Sequence, residues 1–250
     1  SAIMSESDSN ISLAFVLTQD INIDTQAVLS AAEQMGMKMV ALEHDKLGPL
    51  AFSVEGLGEL YVMAVDAPHP DAAKMPNGPL SPNPEVVATG TCHLILTAMY
   101  LPGDNQTKDF HLAKLTAAVI RGSSAVAAML FPGTVLYGAE LFADIASQAQ
   151  GLPIEICVDL TMAGEPNDRM SFVTHGLTRY GREEFYITCS RSGQGALDFV
   201  FMMVRWMIND PNKNLPTGDT IGRTAEERIT VQRVPHPGGA EGEVVRLDVP

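Results

Sequence analysis

The residues able to do chemistry are thinly spread along this chain, and the densest group is HGLTRYGREEFYI at 175–187. It holds His175, Arg179, Tyr180, Arg182, Glu183 and Glu184, with Gly176 and Gly181 bracketing the tyrosine. Imidazole, phenol and carboxylate are the groups of general acid–base catalysis, and a guanidinium can hold a developing oxyanion. A hydrolase-like site assembled only in the fold would draw on His93, His111, Tyr180, Glu183 and Arg223. No local motif joins these five. Glu183 and Glu184 are adjacent at the start of a strand-like run, so their side chains diverge and cannot share a proton. Glu226 and Glu227 lie in TAEER, where Thr224 and Glu227 fit the Thr-x-x-Glu capping box of a single helical turn. A structural corner explains 175–187 without a substrate. Gly181 permits a turn or bulge between two strands, Tyr180 packs its ring, and Arg179 and Arg182 face solvent or pair with the acidic surface.

A second chemistry is anion binding. EFYITC leads into SRSGQG (190–195), and a helix follows. Strand, glycine-rich loop and helix start present backbone N–H groups to an anion, so Arg191, Ser192, Gly193 and Gly195 are candidates for an anion or nucleotide sensor. There is no GxGxxG and no GKS/T, and a flexible connection before a buried helix is the plainer reading. Metal binding has no signature: CxxC, HxH and HExxH do not occur, and Cys92 and His93, as strand neighbours, point to opposite faces. The histidines at 44, 69, 93, 111, 175 and 236 are scattered. No metal and no cofactor is expected. There is no GxSxG nucleophile elbow, Cys157 and Cys189 sit in apolar runs, and Ser123 and Ser124 read as helix-ending residues.

The elements that must position these groups follow from periodicity. ISLAFVLTQ (11–19) is a buried strand. Asp24 then offers a helix cap, with Val28, Ala31, Ala32 and Met35 on one stripe and Gly36 as the stop. MKMVALEH, PLAFSVEG and ELYVMAVDA are strands broken by glycine turns. Between 66 and 85 come six prolines, Pro68, Pro70, Pro76, Pro79, Pro82 and Pro84, which forbid regular sheet or helix over most of the segment. TCHLILTAMY (91–100) is a strand, and a helix from about Lys108 carries Leu112, Leu115, Thr116 and Val119. A strand, a helix (GAELFADIASQAQG) and three strand-like runs (IEICVDLTM, MSFVTHGLTRYG, EEFYITCS) follow. A helix from Ala196 is apolar almost all round, and ERITVQRV with EGEVVRLDV forms a terminal hairpin. Runs of strands with isolated helices indicate α+β, with largely antiparallel sheets and about four main helices. The organisation read from this is a unit at 11–66, a proline-rich loop or linker at 67–85, and a unit at 86–250, with a matching element order that hints at a duplicated α/β unit. One compact domain is the alternative.

The C-terminal segments carry a resemblance. GLTRYGREEFYI and DTIGRTAEERITV (219–231) resemble the closing part of a bacterial family, domain of unknown function 4261. Its pattern Gly-x-x-x-[apolar or aromatic]-Gly-x-x-Glu matches Gly176 to Glu184, and Thr-Ile-Gly-x-[Ser/Thr]-Ala-Glu matches Thr220 to Glu226. HLILTAMY and AVAAMLFPGTVL resemble the family's middle, and the proline-rich segment falls where the family has a proline-containing turn. Where the family strand ends Tyr-Trp-Gly-like, this chain has Leu130-Phe131-Pro132-Gly133. The resemblance implies a cytoplasmic bacterial α+β protein and no reaction.

Bulk composition narrows the function classes. The chain of 250 residues has 16 basic and 30 acidic side chains and a net charge of −14, which repels phosphate backbones and anionic membranes. Nucleic-acid and membrane partners are therefore not expected. The three cysteines, an odd number, fit a reducing cytoplasm better than a disulfide framework. The polar, acidic start SAIMSESDSN is no signal peptide, and no apolar run is long enough to span a bilayer. The expected function is a non-catalytic protein-binding or adaptor module that contacts its partner through 66–84. The enzyme and the anion sensor are the alternatives.

Overall fold

The computed structural model describes residues 10–46, 48–193 and 195–250. The N-terminal residues 1–9, on which the signal-peptide reading rests, lie outside it, as does Gln194 of the glycine-rich loop. The chain divides into two units between Cys157 and Val158. That is not the division suggested by the proline-rich segment.

The first unit runs β1 (Ile11–Ile23), α1 (Thr25–Gln34), β2 (Met39–Ala41), β3 (Leu50–Val54), β4 (Gly58–Val65), α2 (Pro84–Ala88), β5 (Cys92–Met99), α3 (Asn105–Arg121), β6 (Ser123–Leu130), β7 (Tyr137–Gly138), α4 (Ala139–Gln148) and α5 (Ile154–Cys157). The seven strands form one antiparallel sheet in the order β2-β3-β4-β5-β1-β6-β7. The proline-rich segment therefore joins two hydrogen-bonded neighbours, β4 and β5. Composition alone made it look like a boundary because prolines punctuate domains and long hairpin connections alike.

Helix ends follow local chemistry. The Asp24 carboxylate accepts from the Ala27 N–H at 3.1 Å and starts α1. Asp104 does the same for Thr107 at 2.9 Å, so α3 starts at Asn105, a turn earlier than apolar periodicity predicts. Gly122 ends α3, its carbonyl accepting from the Asp24 N–H at 2.7 Å. A Cβ there would strike Val28 and the Asp24 carbonyl, so only glycine permits this approach.

Strand alternation gives this sheet two apolar faces. On one, Ala14 and Val16, Leu60 and Val62, and Leu94 and Leu96 pack against Val28, Leu115 and Phe142 of α1, α3 and α4. On the other, Leu17, Ala127 and Met129 form a second buried cluster with Leu136, and Ala72, Met75 and Val87 of the proline-rich segment pack against it. The segment is thus neither sheet nor extended linker. It holds a 3-10 turn at Ala72–Lys74 and the short α2, and it covers sheet surface that no long helix covers.

The second unit runs β8 (Asp159–Glu165), β9 (Arg169–His175), a 3-10 turn (Leu177–Tyr180), β10 (Phe185–Ser190), α6 (Ala196–Asn209), β11 (Thr220–Ile221), β12 (Ile229–Thr230), β13 (Gln232–Pro235) and β14 (Glu243–Asp248). Its five-stranded sheet has the order β13-β14-β10-β9-β8, antiparallel except for the β10–β14 pair, which α6 and the following loops connect. The terminal hairpin is β13–β14, as the sequence predicts. Both units confirm α+β with antiparallel sheets and four long helices.

Two local expectations are corrected. IEIC is a helical turn, not a strand, because Pro153 opens it and its carbonyl accepts from the Ile156 and Cys157 N–H groups at 3.1 Å. TAEER forms no helical turn, although half of the expected capping box is present: the Glu227 N–H donates to the Thr224 hydroxyl at 3.3 Å, while the Glu227 carboxylate accepts from the Arg223 backbone N–H at 2.7 Å, one residue before the expected position. α6 is covered over most of its surface, as its apolar composition predicts: Phe199, Val200, Met203, Val204, Met207 and Ile208 are buried, while Met202 is 46% exposed.

The stretch 175–187 resolves into a corner held by one carboxylate. Gly176 (φ 116°) and Gly181 (φ 73°) bracket the 3-10 turn. Glu184, only 8% exposed, accepts from the Thr174 hydroxyl at 2.6 Å and from the Gly176 and Thr178 N–H groups at 2.8 and 3.1 Å. Thr174 in turn accepts from the Phe185 N–H at 2.8 Å. Burial pushes the Glu184 carboxyl above its ordinary value, and these hydrogen bonds oppose that shift. Glu184→Ala leaves the buried Thr174 hydroxyl without an acceptor, at about 1–3 kcal/mol, and two part-buried N–H donors that water reaches in part, at less. Urea unfolding is expected to show a loss of about 2–4 kcal/mol; a change within about 0.5 kcal/mol, the range of ordinary surface substitutions, would contradict this role.

Candidate functional site

The proline-rich segment and the sheet face beneath it enclose a pocket of about 270 Å³. Its wall is built from Ala72, Met75 and Val87 of the segment and Leu136 after β6, with His69, Asn77 and Ser81 as its polar groups. Local bonds set this shape. The Gly78 N–H donates to the Ser81 hydroxyl at 2.8 Å and the Ser81 N–H returns to the Gly78 carbonyl at 3.2 Å, closing a turn. The Val86 and Val87 N–H groups donate to the Asn83 carbonyl at 2.9 and 3.2 Å, forming α2 behind Pro84. Gly90 brings the chain back over β1, where a Cβ would sit 3.0 Å from that of Leu17.

A pair of histidines fixes the other end. His93 Nδ1 lies 2.7 Å from the Ala67 carbonyl and so carries its proton there, pinning the start of the segment to β5. His69 Nδ1 accepts from the Asp71 N–H at 3.2 Å, which places the His69 proton on Nε2. The two rings meet edge to face at 5.3 Å, and Phe15 of β1 meets His69 at 5.1 Å. Burial first, and then His93, lower the His69 pKa, with Asp71 opposing. Beside them the Cys92 thiol donates to Asp66 at 3.4 Å; burial and that carboxylate push the thiol up, so it stays protonated and unreactive.

The catalytic candidates are each engaged elsewhere. His93 is bonded as described. His111 lies on α3 with its ring 5.2 Å from Phe110, and burial followed by Lys114 lowers its pKa. Tyr180 ends the 3-10 turn, half-buried. Glu183 pairs with Arg233 through two hydrogen bonds at 3.0 and 2.7 Å, pointing away from the buried Glu184, so the predicted divergence of the two carboxylates holds. Arg223 pairs with Glu227 and lies 5.9 Å from the Phe199 ring. In the second unit Glu183 and Arg223 are thus each held by a different partner, Arg233 and Glu227. Arg182 does not face solvent or pair with acid: it donates to the Pro211 carbonyl at 3.0 Å and tethers the loop after α6.

The anion-loop candidates are occupied in the same way. Arg191 donates to the Arg169 carbonyl at 3.2 Å and lies against Gly164 of β8. Ser192 shares a hydrogen bond with Ser190 at 3.0 Å, the Gly193 N–H donates to the Ser190 carbonyl at 3.0 Å, and Gly195 (φ 76°) precedes α6. Among the described residues no group of three or more His, Cys, Asp or Glu could hold a metal ion, and no helix is long and apolar enough to cross a membrane.

Comparison with protein-family models, curated proteins and solved structures finds no match, so the resemblance to family 4261 carries no argument about the site. His69 and the pocket were invisible to motif reading. The one hint was a histidine set between two prolines, Pro68-His69-Pro70.

A His69 pKa below 6.5 means that the unfolded chain takes up its proton first as the pH falls. The stability that neutral His69 contributes is complete above about pH 6.5 and is lost below it. Protonation at Nδ1 also removes the acceptor for Asp71. Followed by NMR from pH 7.5 to 5, the Asp71 amide is expected to shift with a midpoint below 6.5. A midpoint at or above 6.5 would contradict the packing of His69 against Phe15 and His93.

Proposed function

We propose that this chain is a non-catalytic binding module whose recognition element is the segment 66–84, and that it acts on a protein partner. The observation that carries the reading is the segment's state. It is a long, proline-rich connection held in one shape by the sheet beneath it, with Asp71, Ala73, Pro76 and Asn77 exposed. A surface ordered before binding loses little conformational entropy on association, which is how a rigid loop gains affinity. Surface loops on a firm scaffold commonly carry recognition. The enzyme reading is weakened by the bonds that hold Glu183, Arg223 and His93 in structural roles. The sensor reading is weakened by Arg191, which is bonded to the Arg169 carbonyl. The acidic balance of the chain disfavours nucleic acid and anionic membranes as partners. A reducing cytoplasm is the compartment that suits three free cysteines.

The test uses the full chain as bait. Asp71→Lys, Ala73→Glu, Asn77→Lys and Glu85→Lys together change only exposed positions of the segment and its short helix α2. With far-UV circular dichroism and Tm unchanged, cross-linking mass spectrometry is expected to show proteins captured by the wild type and lost from this variant. Substitutions at exposed Glu226 and Glu241 should leave capture intact. An unchanged set of captured proteins across the four-site variant would refute the reading.

A further inference from the structure

We infer that the pocket beneath the proline-rich segment receives one bulky, uncharged side chain of the leucine, methionine or phenylalanine kind, presented by a basic stretch of a partner protein. The inference rests on the segment being the recognition surface and names what that surface holds.

Size comes first. At about 270 Å³ the cavity falls just under the roughly 300–1,000 Å³ of small-molecule sites, and it is far larger than a water needs. That volume suits a single anchoring side chain, the feature that dominates most protein interfaces. The chemistry of the wall comes second. Ala72, Met75, Val87 and Leu136 offer apolar contact, and the described lining carries no formal charge while His69 is neutral. A charged headgroup would be desolvated there without a counter-charge, which is costly. Hydrogen-bonding capacity comes third. His69 Nδ1 is committed to Asp71, so its Nε2–H remains to donate. Ser81 uses its oxygen to accept from Gly78 and keeps its own proton to give. These are donors, and the acceptor a peptide offers beside its anchor is a backbone carbonyl.

Charge selects the flanks. Asp71, Lys74 and Glu85 are interleaved in sequence with the lining residues, and all three are exposed. Two carboxylates against one ammonium leave these flanks acidic, which favours a basic approach and penalises an acidic or phosphorylated one. The unit as a whole leans the same way, with fifteen acidic side chains against six basic ones between residues 10 and 157.

The experiment titrates the isotope-labelled full chain with three capped probes: acetyl-Lys-Phe-Lys-amide, acetyl-Glu-Phe-Glu-amide and acetyl-phenylalaninamide. Saturable shifts at Ala72, Met75, Val87 and Leu136 are expected with the lysine-flanked peptide. The glutamate-flanked peptide is expected to bind at least about tenfold more weakly. Ala88→Phe places a ring at the exposed lip of the pocket and should abolish these shifts, while Ala88→Ser keeps them and controls for folding. No saturable shift at those residues overturns the inference. So does binding of acetyl-phenylalaninamide as tight as that of the lysine peptide, which would make this a small-molecule pocket. Equal affinity for the glutamate peptide overturns it as well. If the four-site segment variant loses its captured proteins and Ala88→Phe retains them, the recognition surface stands and the pocket assignment falls.

Discussion

A seven-stranded antiparallel sheet with apolar residues on both faces has to be covered twice, and the first unit has long helices for only one side. α1, α3 and α4 bury the face carrying Val16, Val62 and Leu96. The opposite face, with Leu17, Ala127 and Met129, would otherwise meet water. The connection from β4 to β5 does the covering, although its prolines exclude it from helix or sheet over most of its length. Ala72, Met75 and Val87 are few and only partly buried, so their burial alone does not offset the cost of ordering the segment. Ordering backbone costs about 1–2 kcal/mol per residue, but each of six prolines arrives with φ already fixed and so lowers that cost. A composition that looks unfavourable for structure thus helps the cover to form.

The polar groups in both units mostly finish what the apolar pattern leaves open. His93 secures the first residues of the cover to its strand. Glu184 gathers the donors of a tight turn, Arg182 ties down the loop after α6, and Asp24 and Asp104 begin helices. A buried carboxylate or guanidinium in such a place is held by several bonds at once, which suits it to architecture and leaves little freedom to move a proton in a reaction. His69 differs: its Nδ1 is committed, its Nε2–H is spare, and it borders a cavity. That difference is why the functional reading rests on the first unit.

Much of this fold was legible in the sequence because it rests on local rules. Alternating apolar residues marked β1, β4 and β5, Asp24 marked the start of α1, and the glycines at 176 and 181 marked a corner. What could not be read depends on pairing between distant segments. The contact of His69 with His93 requires β5 to pair with β4 so that His93 stands opposite Val65, and no local spacing encodes that register. The same holds for Glu184, which looked like half of an adjacent pair until the turn folded over it. The pocket was illegible for a further reason. Its wall comes from a stretch whose composition signals the absence of regular structure, and shape there is set by single bonds such as Gly78 to Ser81.

The central claim is that the proline-rich connection is a folded cover and not a tether, and hydrogen–deuterium exchange of the full chain tests it directly. The Gly78, Val86, Val87 and Gly90 amides all donate to acceptors within the segment. The account expects them to exchange at least about a hundredfold more slowly than in an unstructured peptide, an opening free energy of about 2.8 kcal/mol. Exchange of these amides at the unstructured rate, with the β1, β4 and β5 amides still protected, would contradict it.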